Sequence, residues 1–207
     1  RFHIVDTTIV EYIGKGGDVK IPEKVTAIGD MAFSGRSDVT SVEFTKDVTW
    51  IGEKAFENCT GLKGVFTPPS NLAYIGDSAF AGCTGITEVE LQNKPMTVGT
   101  HIFEDCTSLQ KVIIPKTMGT IPDYTFYGCR SLTDITIDKE ITAIGVHAFD
   151  GCTSLAAFQF PLKTTAVGDY AFKGCKSLSE ITFERALESI GSVSYTHLRA
   201  HETDQYL

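Results

Sequence analysis

Apolar and polar residues alternate in short segments that return at regular intervals along this chain. Segments 109–114 and 178–183 follow the pattern Leu-x-x-Val-x-Leu or a close apolar variant of it, which places the apolar side chains on one side of a strand. Pro115 and Pro161 directly follow such segments and help to end them. A second, shorter apolar stretch comes next, for example at 141–144. The pattern predicts two short β-strands in each unit.

Each unit continues into a six-residue motif, which first occurs as Ile-Gly-Asp-Met-Ala-Phe at 28–33. The motif returns with its phenylalanines 23 residues apart, once 24, and a further copy begins at 190–192. One such unit cannot bury its own apolar side, but stacked units share a continuous core. We therefore predict a solenoid of stacked 23-residue repeats, mostly β-structure, with parallel strands and short helical turns. Its central column is predicted to be Phe33, Phe56, Phe80, Phe103, Phe126, Phe149 and Phe172.

The motif itself has features of a short helix. Acidic residues such as Asp30 and Asp123 stand where a helix N-terminus favours negative charge. The second residue after each phenylalanine is Gly, Asn or Asp, and these types tolerate the left-handed conformation that closes a helix. Pro122 replaces the glycine that usually follows the anchor isoleucine. Because proline fixes φ near about −65°, that position need not have positive φ.

Two repeats depart from the pattern. The first has Arg36 where the others have cysteine. The second carries one extra residue, which we place in a bulged loop near 68–70. Its strand reads Val65-Phe66-Thr67, so that Phe66 stands at a position that should face solvent. Either Phe66 is exposed or the pleat of this strand slips by one residue.

Composition and charge exclude some classes of partner. The chain has 207 residues, 42% of them hydrophobic, with a net charge of −8 and a pI near 5.1. A nucleic-acid partner would need a basic stripe, and the sequence has no cluster of basic residues. No window approaches 18 uninterrupted apolar residues, so we expect no membrane insertion. The chain starts without Met or a signal-like stretch, and we expect it to be a fragment of a longer protein.

The 23-residue period, the strand pattern and the signature Ile-Gly-x-x-Ala-Phe-x-x-Cys resemble the BspA-type leucine-rich repeat. The resemblance covers roughly residues 16 to 192. It implies a bacterial surface or secreted protein, since members of that family include proteins implicated in adhesion to host proteins and in aggregation between cells. Other members carry the same repeats beside different domains. The resemblance therefore implies a surface for binding or for spacing.

Six cysteines occupy one column of the repeat, three residues after a phenylalanine. Their spacing lacks the close Cys-x-x-Cys pairs of a zinc site. Stacked neighbours about 5 Å apart would meet the distance range of a disulfide, but their side chains should point in parallel into the core. We predict buried structural thiols at Cys59, Cys83, Cys106, Cys129, Cys152 and Cys175.

Two sets of aromatic residues are the candidate binding sites. The column after the acidic position consists of Met31, Lys54, Ser78, His101, Tyr124, His147 and Tyr170. Its last four members predict a ladder of rings with rungs about 5 Å apart. Trp50 and Tyr74 form a pair in the column before the anchor isoleucine. The ladder is a candidate for binding a carbohydrate or a protein loop, and the pair is a candidate interface anchor. The alternative for both sets is that the rings only cover the edges of the core.

No catalytic, cofactor or metal site emerges from the repeats. His101 and His147 would lie about 10 Å apart, too far to share one metal ion. No nucleophile and base recur together, and no glycine-rich phosphate loop follows a strand. We therefore predict a protein that is not an enzyme and has no cofactor. A set of strand carboxylates is predicted to be a solvated face: Glu43, Glu88, Glu90, Asp134 and Glu180.

The C-terminal segment 193–207 breaks the repeat. His197 and His201, with Glu202 beside them, have the spacing of a zinc pair on one helical face. Residues 193–203, however, back-translate without a gap into the end of a transposase-based sequencing-library adapter. We interpret the segment as translated adapter, expect no repeat-like strand in it, and exclude it from functional reasoning.

The predicted organisation is an N-terminal cap or partial repeat at 1–18, a leucine-rich-repeat solenoid at 19–192 and a non-native tail at 193–207. The favoured function is a non-catalytic protein- or glycan-binding or adhesion solenoid of a bacterial cell-surface or secreted protein. Its expected partner is a surface protein or glycan of a host or neighbouring cell. The alternative is a passive structural spacer that presents another domain, absent from this chain.

Overall fold

Short strands and turns build one continuous solenoid. The computed structural model describes residues 1–183 and 189–192. They form about eight stacked turns of about 23 residues with parallel strands, as predicted. A typical turn contributes one strand of three to five residues and one strand of two residues.

The strands are β1 (Phe2–Val5), β2 (Thr8–Tyr12), β3 (Gly17–Lys20), β4 (Ala27–Ile28), β5 (Val39–Glu43), β6 (Trp50–Ile51), β7 (Gly64–Phe66), β8 (Tyr74–Ile75), β9 (Ile86–Glu90), β10 (Thr97–Val98), β11 (Lys111–Ile114), β12 (Thr120–Ile121), β13 (Asp134–Ile137), β14 (Ala143–Ile144), β15 (Ala157–Phe160), β16 (Ala166–Val167), β17 (Glu180–Phe183) and β18 (Ser189–Ile190). Among the described residues the one helical element is a 3₁₀ turn at Lys116–Met118.

The two-residue strands stack in two sheets, the first of which also contains the longer strands β1 and β2 of the N-terminal hairpin. One has the order β1-β2-β4-β6-β8-β10 and the other the order β12-β14-β16-β18. The residue after each anchor normally donates its N–H to the anchor carbonyl of the preceding repeat, as Gly99 does to Ile75 at 2.8 Å. Pro122 has no N–H to donate to Val98. The sheet therefore divides between β10 and β12.

The glycine of the motif lies where two backbones approach closely, and Pro122 is the one exception among the complete repeats. None of the described motif glycines has positive φ, which agrees with the inference from Pro122. A Cβ on Gly145 would lie 2.5 Å from the backbone nitrogen of Asp123 in the preceding repeat. Any larger residue would push successive turns apart at this point.

The longer strands form three sheets with parallel pairing. β3 pairs with β5, the strands β7, β9, β11 and β13 form a second sheet, and β15 pairs with β17. Two gaps therefore interrupt this side of the solenoid. One gap lies between β5 and β7, and the other lies between β13 and β15.

The extra residue of the second repeat is accommodated at the start of β7. The pairing of β7 with β9 is irregular between Gly64 and Val65, and from there on the partners are again 23 residues apart, Phe66 with Val89. The expected bulged loop at 68–70 is therefore wrong. Gly64 has a φ of 76°, a conformation that glycine adopts without steric cost.

This irregularity decides between the two alternatives for Phe66. Its side chain is only 9% exposed and packs on Phe80, with ring centroids 4.3 Å apart. The neighbouring Val65 is 60% exposed. The pleat slips by one residue, and Phe66 takes the inward position.

Successive β-turns form the corner at the motif, and the expected helical turns are wrong. The N–H of Tyr127 donates to the carbonyl of Tyr124 three residues earlier, whereas the N–H of Phe126 donates to Ala148 in the next repeat at 2.9 Å. Tyr124 has a φ of 56°, and its counterparts in the other repeats are also left-handed. An α-helix cannot continue through such a residue. The predicted left-handed residues two places after each phenylalanine are present, with φ of 53–77°.

The acidic residue of the motif links two repeats and does not cap a helix. Asp123 accepts the N–H of Val146, one repeat further on, through Oδ1 at 2.7 Å. Asp30, Asp77 and Asp169 make the equivalent bond to Glu53, Thr100 and Ser192. These carboxylates occur in alternate repeats. Each one satisfies a backbone donor at the corner.

The phenylalanine column lies at the centre of the core. All seven rings are buried, and successive rings stack with centroids 4.8–5.9 Å apart and planes within 19°. Tyr12 extends the column at the N-terminal end, where its ring stacks on Phe33 at 4.9 Å. The column therefore runs from the N-terminal hairpin to the last described repeat.

The N-terminal hairpin covers one end of the solenoid. β1 pairs with β2 in the antiparallel sense, and β2 continues in parallel to β4. Arg36, which replaces the usual cysteine, donates to the carbonyls of Tyr12 and Gly14 and forms a two-point ion pair with Asp38. Its guanidinium also lies 4.6 Å from the centroid of the Tyr12 ring. Arg36 thus ties the first repeat to the hairpin.

We predict that Phe103→Ala lowers the free energy of unfolding by about 3–5 kcal/mol, because it removes a fully buried ring and leaves a cavity between two stacked neighbours. Chemical denaturation of the purified protein measures this change. Val65→Ala is the control and should cost less than about 0.5 kcal/mol, since Val65 is largely exposed. Equal losses for the two variants would contradict the assigned core.

Candidate binding surfaces

The six cysteines form a second column beside the phenylalanines. All are buried, and none is in a disulfide. Each Sγ donates to the carbonyl oxygen of a phenylalanine in the preceding repeat, as Cys129 does to Phe103, at distances of 2.9–3.3 Å across the column. Burial raises the pKa of every thiol, to about 12 for Cys59 and Cys175. These are uncharged thiols of low reactivity.

The predicted ladder of rings is present on four successive repeats. The ring of His101 stacks on Tyr124 with centroids 4.4 Å apart, Tyr124 stacks on His147 at 4.8 Å, and His147 stacks on Tyr170 at 4.8 Å. Their planes lie within 19° of parallel, and all four side chains are half-buried. We call this set the ring ladder. The Tyr124 ring lies between the two imidazoles, so His101 and His147 cannot share a metal ion.

The backbone conformation of the ring ladder belongs to the repeat and is not special to these four residues. His101, Tyr124, His147 and Tyr170 have φ of 53–58°, but the exposed Met31 has 55° as well. A left-handed non-glycine residue costs about 1–2 kcal/mol. The backbone hydrogen bonds of the corner offset this free-energy cost in every repeat, whatever side chain is present at the position.

A neighbouring column that the sequence reasoning missed flanks the ring ladder. It consists of Glu104, Tyr127, Asp150 and Lys173, each three residues after a ladder residue. The Lys173 ammonium lies 5.2 Å from the Tyr170 ring centroid, and burial raises the pKa of Glu104. The signal was in the sequence, because a turn brings its first and fourth residues together.

Asp150 makes a short hydrogen bond to the ladder residue His147. Its Oδ2 lies 2.6 Å from Nδ1 of His147, and the two side chains are only 12% and 18% exposed. Because a carboxylate in its ionised form only accepts hydrogen bonds, this contact fits the imidazole tautomer that has its proton on Nδ1 of His147. In the neutral imidazole, Nε2 is then left as an acceptor. His101 differs, since its Nδ1 lies 2.9 Å from the hydroxyl of Thr100.

Trp50 and Tyr74 form a separate stacked pair. They are partners in the parallel pairing of β6 with β8, and their ring centroids are 3.6 Å apart. Ala27 lies on the other side of Trp50 in the same sheet. Because alanine is small, the outer face of the indole stays open, and Trp50 is 46% exposed. We call these two rings the aromatic pair.

The strand carboxylates behave mostly as a solvated face. Glu43, Glu90, Asp134 and Glu180 are exposed, and Glu88 is half-buried. Glu43 pairs with Lys20 at 3.0 Å. Pairs of this exposed kind contribute little to stability.

Within residues 1–183 and 189–192, no three His, Cys, Asp or Glu side chains are grouped as metal ligands would be. The same residues contain no helix that could span a bilayer. His197, His201 and the interpretation of 193–207 as translated adapter lie outside the described residues.

Stacked parallel turns with inward columns of Leu, Ile, Phe and Cys define a leucine-rich-repeat solenoid. The chain belongs to the BspA-type leucine-rich-repeat family, whose six-copy repeat region matches residues 12–133 and 119–202. The predicted resemblance is confirmed. No curated protein matches the chain significantly.

Several bacterial crystal structures share this fold. A leucine rich cell surface protein from Faecalibacterium prausnitzii A2-165 is 35% identical with a TM-score of 0.77, covering 86% of this chain and 50% of that one. A leucine-rich repeat protein from Bacteroides ovatus is 28% identical with a TM-score of 0.59, and the match covers 84% of this chain and 56% of that protein. A leucine-rich repeat protein from T. pallidum is 27% identical with a TM-score of 0.57, and the match covers 72% of this chain and 82% of that protein. The chain thus spans about half the length of the first two proteins.

We predict that the six thiols resist alkylation in the folded protein. A raised pKa keeps them protonated at about pH 8.5, where thiols of the unfolded chain begin to ionise. Stability should therefore fall as the pH rises above about 8.5, because only the unfolded state gains from ionisation there. Intact-mass measurement after iodoacetamide treatment at this pH should show no adduct on the folded protein and six after denaturation. Rapid modification of the folded protein would contradict the burial of the column.

Proposed function

We propose that this chain is a non-catalytic binding module of a bacterial cell-surface or secreted protein, and that it mediates adhesion to a protein or glycan on another cell. Membership of the BspA-type family and likeness to a leucine rich cell surface protein support a repeat scaffold of surface type. The step from scaffold to adhesion is our proposal. The family and the similar structures are leucine-rich-repeat proteins, which favours a binding module over an enzyme.

The ring ladder is the observation that carries this proposal. Four aromatic or imidazole rings on consecutive repeats lie in line, half-buried, in a column that elsewhere contains Met31, Lys54 and Ser78. The backbone accepts very different side chains at this position. A run of rings is therefore not demanded by the fold, and half-buried aromatic side chains with polar tips are typical binding anchors.

The stacking determines how the ladder would meet a ligand. The faces of the inner rings pack against each other, so that a ligand meets ring edges. Those edges carry the hydroxyls of Tyr124 and Tyr170 and Nε2 of His101 and His147, one polar group per repeat. Such a row favours a ligand that offers repeated hydroxyl, carboxylate or amide groups.

The aromatic pair would act differently, because the outer face of Trp50 is open. An open indole face favours contact with an apolar sugar face or with a partner side chain. The two surfaces therefore use different parts of their rings. Both belong to the proposed function.

The experiment is a binding screen of the purified protein on a glycan array and on arrayed extracellular host proteins, followed by titration of each hit. We expect Tyr124→Phe combined with Tyr170→Phe to lower the affinity by about tenfold, because two hydroxyl contacts are lost while the stack is kept. Tyr124→Ser combined with Tyr170→Ser should lower it further, since the rings themselves are lost.

Met31→Ser combined with Lys54→Ser is the matched control, because it changes the same column outside the ladder. This variant should bind as the wild type does. A passive spacer predicts no specific hit, or hits whose affinity is unchanged by the serine substitutions at Tyr124, Tyr170, Trp50 and Tyr74. Either result would overturn the proposal.

A further inference from the structure

Each imidazole of the ring ladder is held by hydrogen bonds that end at a carboxylate. His147 reaches Asp150 directly, with 2.6 Å between Nδ1 and Oδ2. His101 reaches Asp77 of the preceding repeat through Thr100, whose Oγ1 lies 2.9 Å from Nδ1 of His101 and 3.2 Å from Oδ1 of Asp77. The two connections use different residues, but both lead from Nδ1 to a carboxylate.

The direction of these hydrogen bonds determines where the imidazole protons lie. The hydroxyl of Thr100 has one proton and donates it to the carboxylate of Asp77, which only accepts. The Thr100 oxygen then accepts from His101, so Nδ1 of His101 is the donor. The bond of His147 to Asp150 fits the same tautomer. In both neutral imidazoles the other nitrogen, Nε2, is therefore a hydrogen-bond acceptor.

Both Nε2 atoms reach the solvent. In the described part of the chain, the buried side-chain polar atoms without a partner are the hydroxyl oxygens of Thr45 and Thr117. Neither Nε2 is one of them, and the hydrogen bonds of both imidazoles in the same part of the chain are made by Nδ1. The ladder thus offers an acceptor on every second rung, with the hydroxyls of Tyr124 and Tyr170 on the other two.

The charges beside the ladder restrict the ligand further. Three carboxylates lie next to the two imidazoles or to their partners, those of Asp77, Glu104 and Asp150. The whole chain has a net charge of −8. An anionic ligand would meet acceptor atoms and negative charge together, and both repel it. A hydroxyl group is uncharged, and it can donate to Nε2 and also accept from a tyrosine hydroxyl.

We propose that the ring ladder selects a neutral glycan, whose hydroxyl groups donate to Nε2 of His101 and His147. Asp150 and Thr100 are positioning residues, because they hold the two imidazoles in the tautomer that accepts. This inference rests on the proposed function, since it names the ligand class of the ladder. It excludes glycans that bind through a carboxylate or a sulfate group.

Nitrogen-15 NMR of the free protein tests the tautomers without any ligand. Protonated and unprotonated ring nitrogens have well-separated shifts at about pH 8, where free imidazole is neutral. We expect His101 and His147 to carry their protons on Nδ1. The exposed His3 is the internal reference, and His101→Phe and His147→Phe assign the signals.

Two variants remove the positioning groups with residues that the repeat already uses. Asp150→Ala copies Ala81, the counterpart in the third repeat, and Thr100→Val copies Val146, the counterpart two repeats later. Each variant should move the imidazole that it contacts towards a mixture of the two tautomers. The other imidazole should stay as it is in the wild type.

Asp123→Asn is the matched control. The carboxylate of Asp123 bonds to the N–H of Val146 and not to an imidazole, although it occupies the same column as Asp77. This variant should leave both tautomers unchanged. Thermal melts of each variant check that the solenoid is intact.

The ligand class is tested by titrating the purified protein with neutral oligosaccharides and with uronate-bearing and sulfated ones of matched length. We expect the neutral members alone to bind. Asp150→Ala and Thr100→Val should each lower the affinity by about two- to tenfold, because one hydrogen bond from the ligand is weakened or lost. His147→Phe, which keeps a ring in the stack but has no nitrogen, should lower it by about tenfold.

A proton on Nε2 of either imidazole in the free wild-type protein would overturn this inference. Unchanged tautomers in Asp150→Ala and Thr100→Val would also overturn it, as would ladder-dependent binding confined to acidic glycans or to proteins. These outcomes leave the proposed function in place. If instead the tautomers are as expected and no glycan or protein binds through Tyr124 and Tyr170, the proposed function fails and the ligand class fails with it.

Discussion

Backbone hydrogen bonds between successive turns constrain almost every position of this solenoid. At the corner, alternate N–H groups bond within their own turn and to the next repeat, as those of Tyr127 and Phe126 do. Successive backbones approach so closely that a Cβ on Gly145 would collide with Asp123. The thiol of each cysteine satisfies a further carbonyl of the preceding repeat. Because each repeat is both donor and acceptor, one backbone conformation has to recur in all of them.

This constraint explains which features could be predicted from the sequence. The phenylalanine and cysteine columns, the parallel strands and the ring ladder all follow from a strict period, since equal spacing in sequence becomes alignment in space. Pro122 already indicated that the motif glycine does not need positive φ. The slip at Phe66 was one of two stated alternatives, because an extra residue had to be absorbed somewhere in the second repeat.

The features that were not predicted depend on which groups the backbone N–H donors bond to. An acidic residue before an apolar pair is typical of a helix start, but Asp123 instead accepts an N–H from the following repeat. The same amino-acid pattern is compatible with the start of a helix and with this turn. The pairing of His147 with Asp150 was also missed, although residues three apart are neighbours in a helix as well as in a turn. The division of the sheets depends on details of pairing at Pro122 and Gly64 that periodicity does not contain.

The ring ladder and the irregular strand β7 show what happens where this constraint is obeyed and where it is broken. Where the repeat is regular, side chains of one column align, and a run of four rings becomes a continuous surface. Where the register slips, at Gly64 and Val65, Phe66 takes the inward position, and a cavity lies between its strand and that of the first repeat. Regularity thus aligns the ladder, and irregularity changes which side chains face the core. A chain of near-identical units can in this way carry distinct surfaces on its two sides.

Residue-resolved hydrogen exchange can establish whether the corner turns are bonded from repeat to repeat, on which the whole explanation of the fold depends. We predict that the amides of Tyr124, Phe126 and Gly128 exchange as slowly as that of Val112 in the strand β11, through the same global opening. If these corner amides exchange rapidly while the strand amides stay protected, the turns are not bonded to the next repeat. Bonding between repeats would then not be the cause of the alignment of the ring ladder.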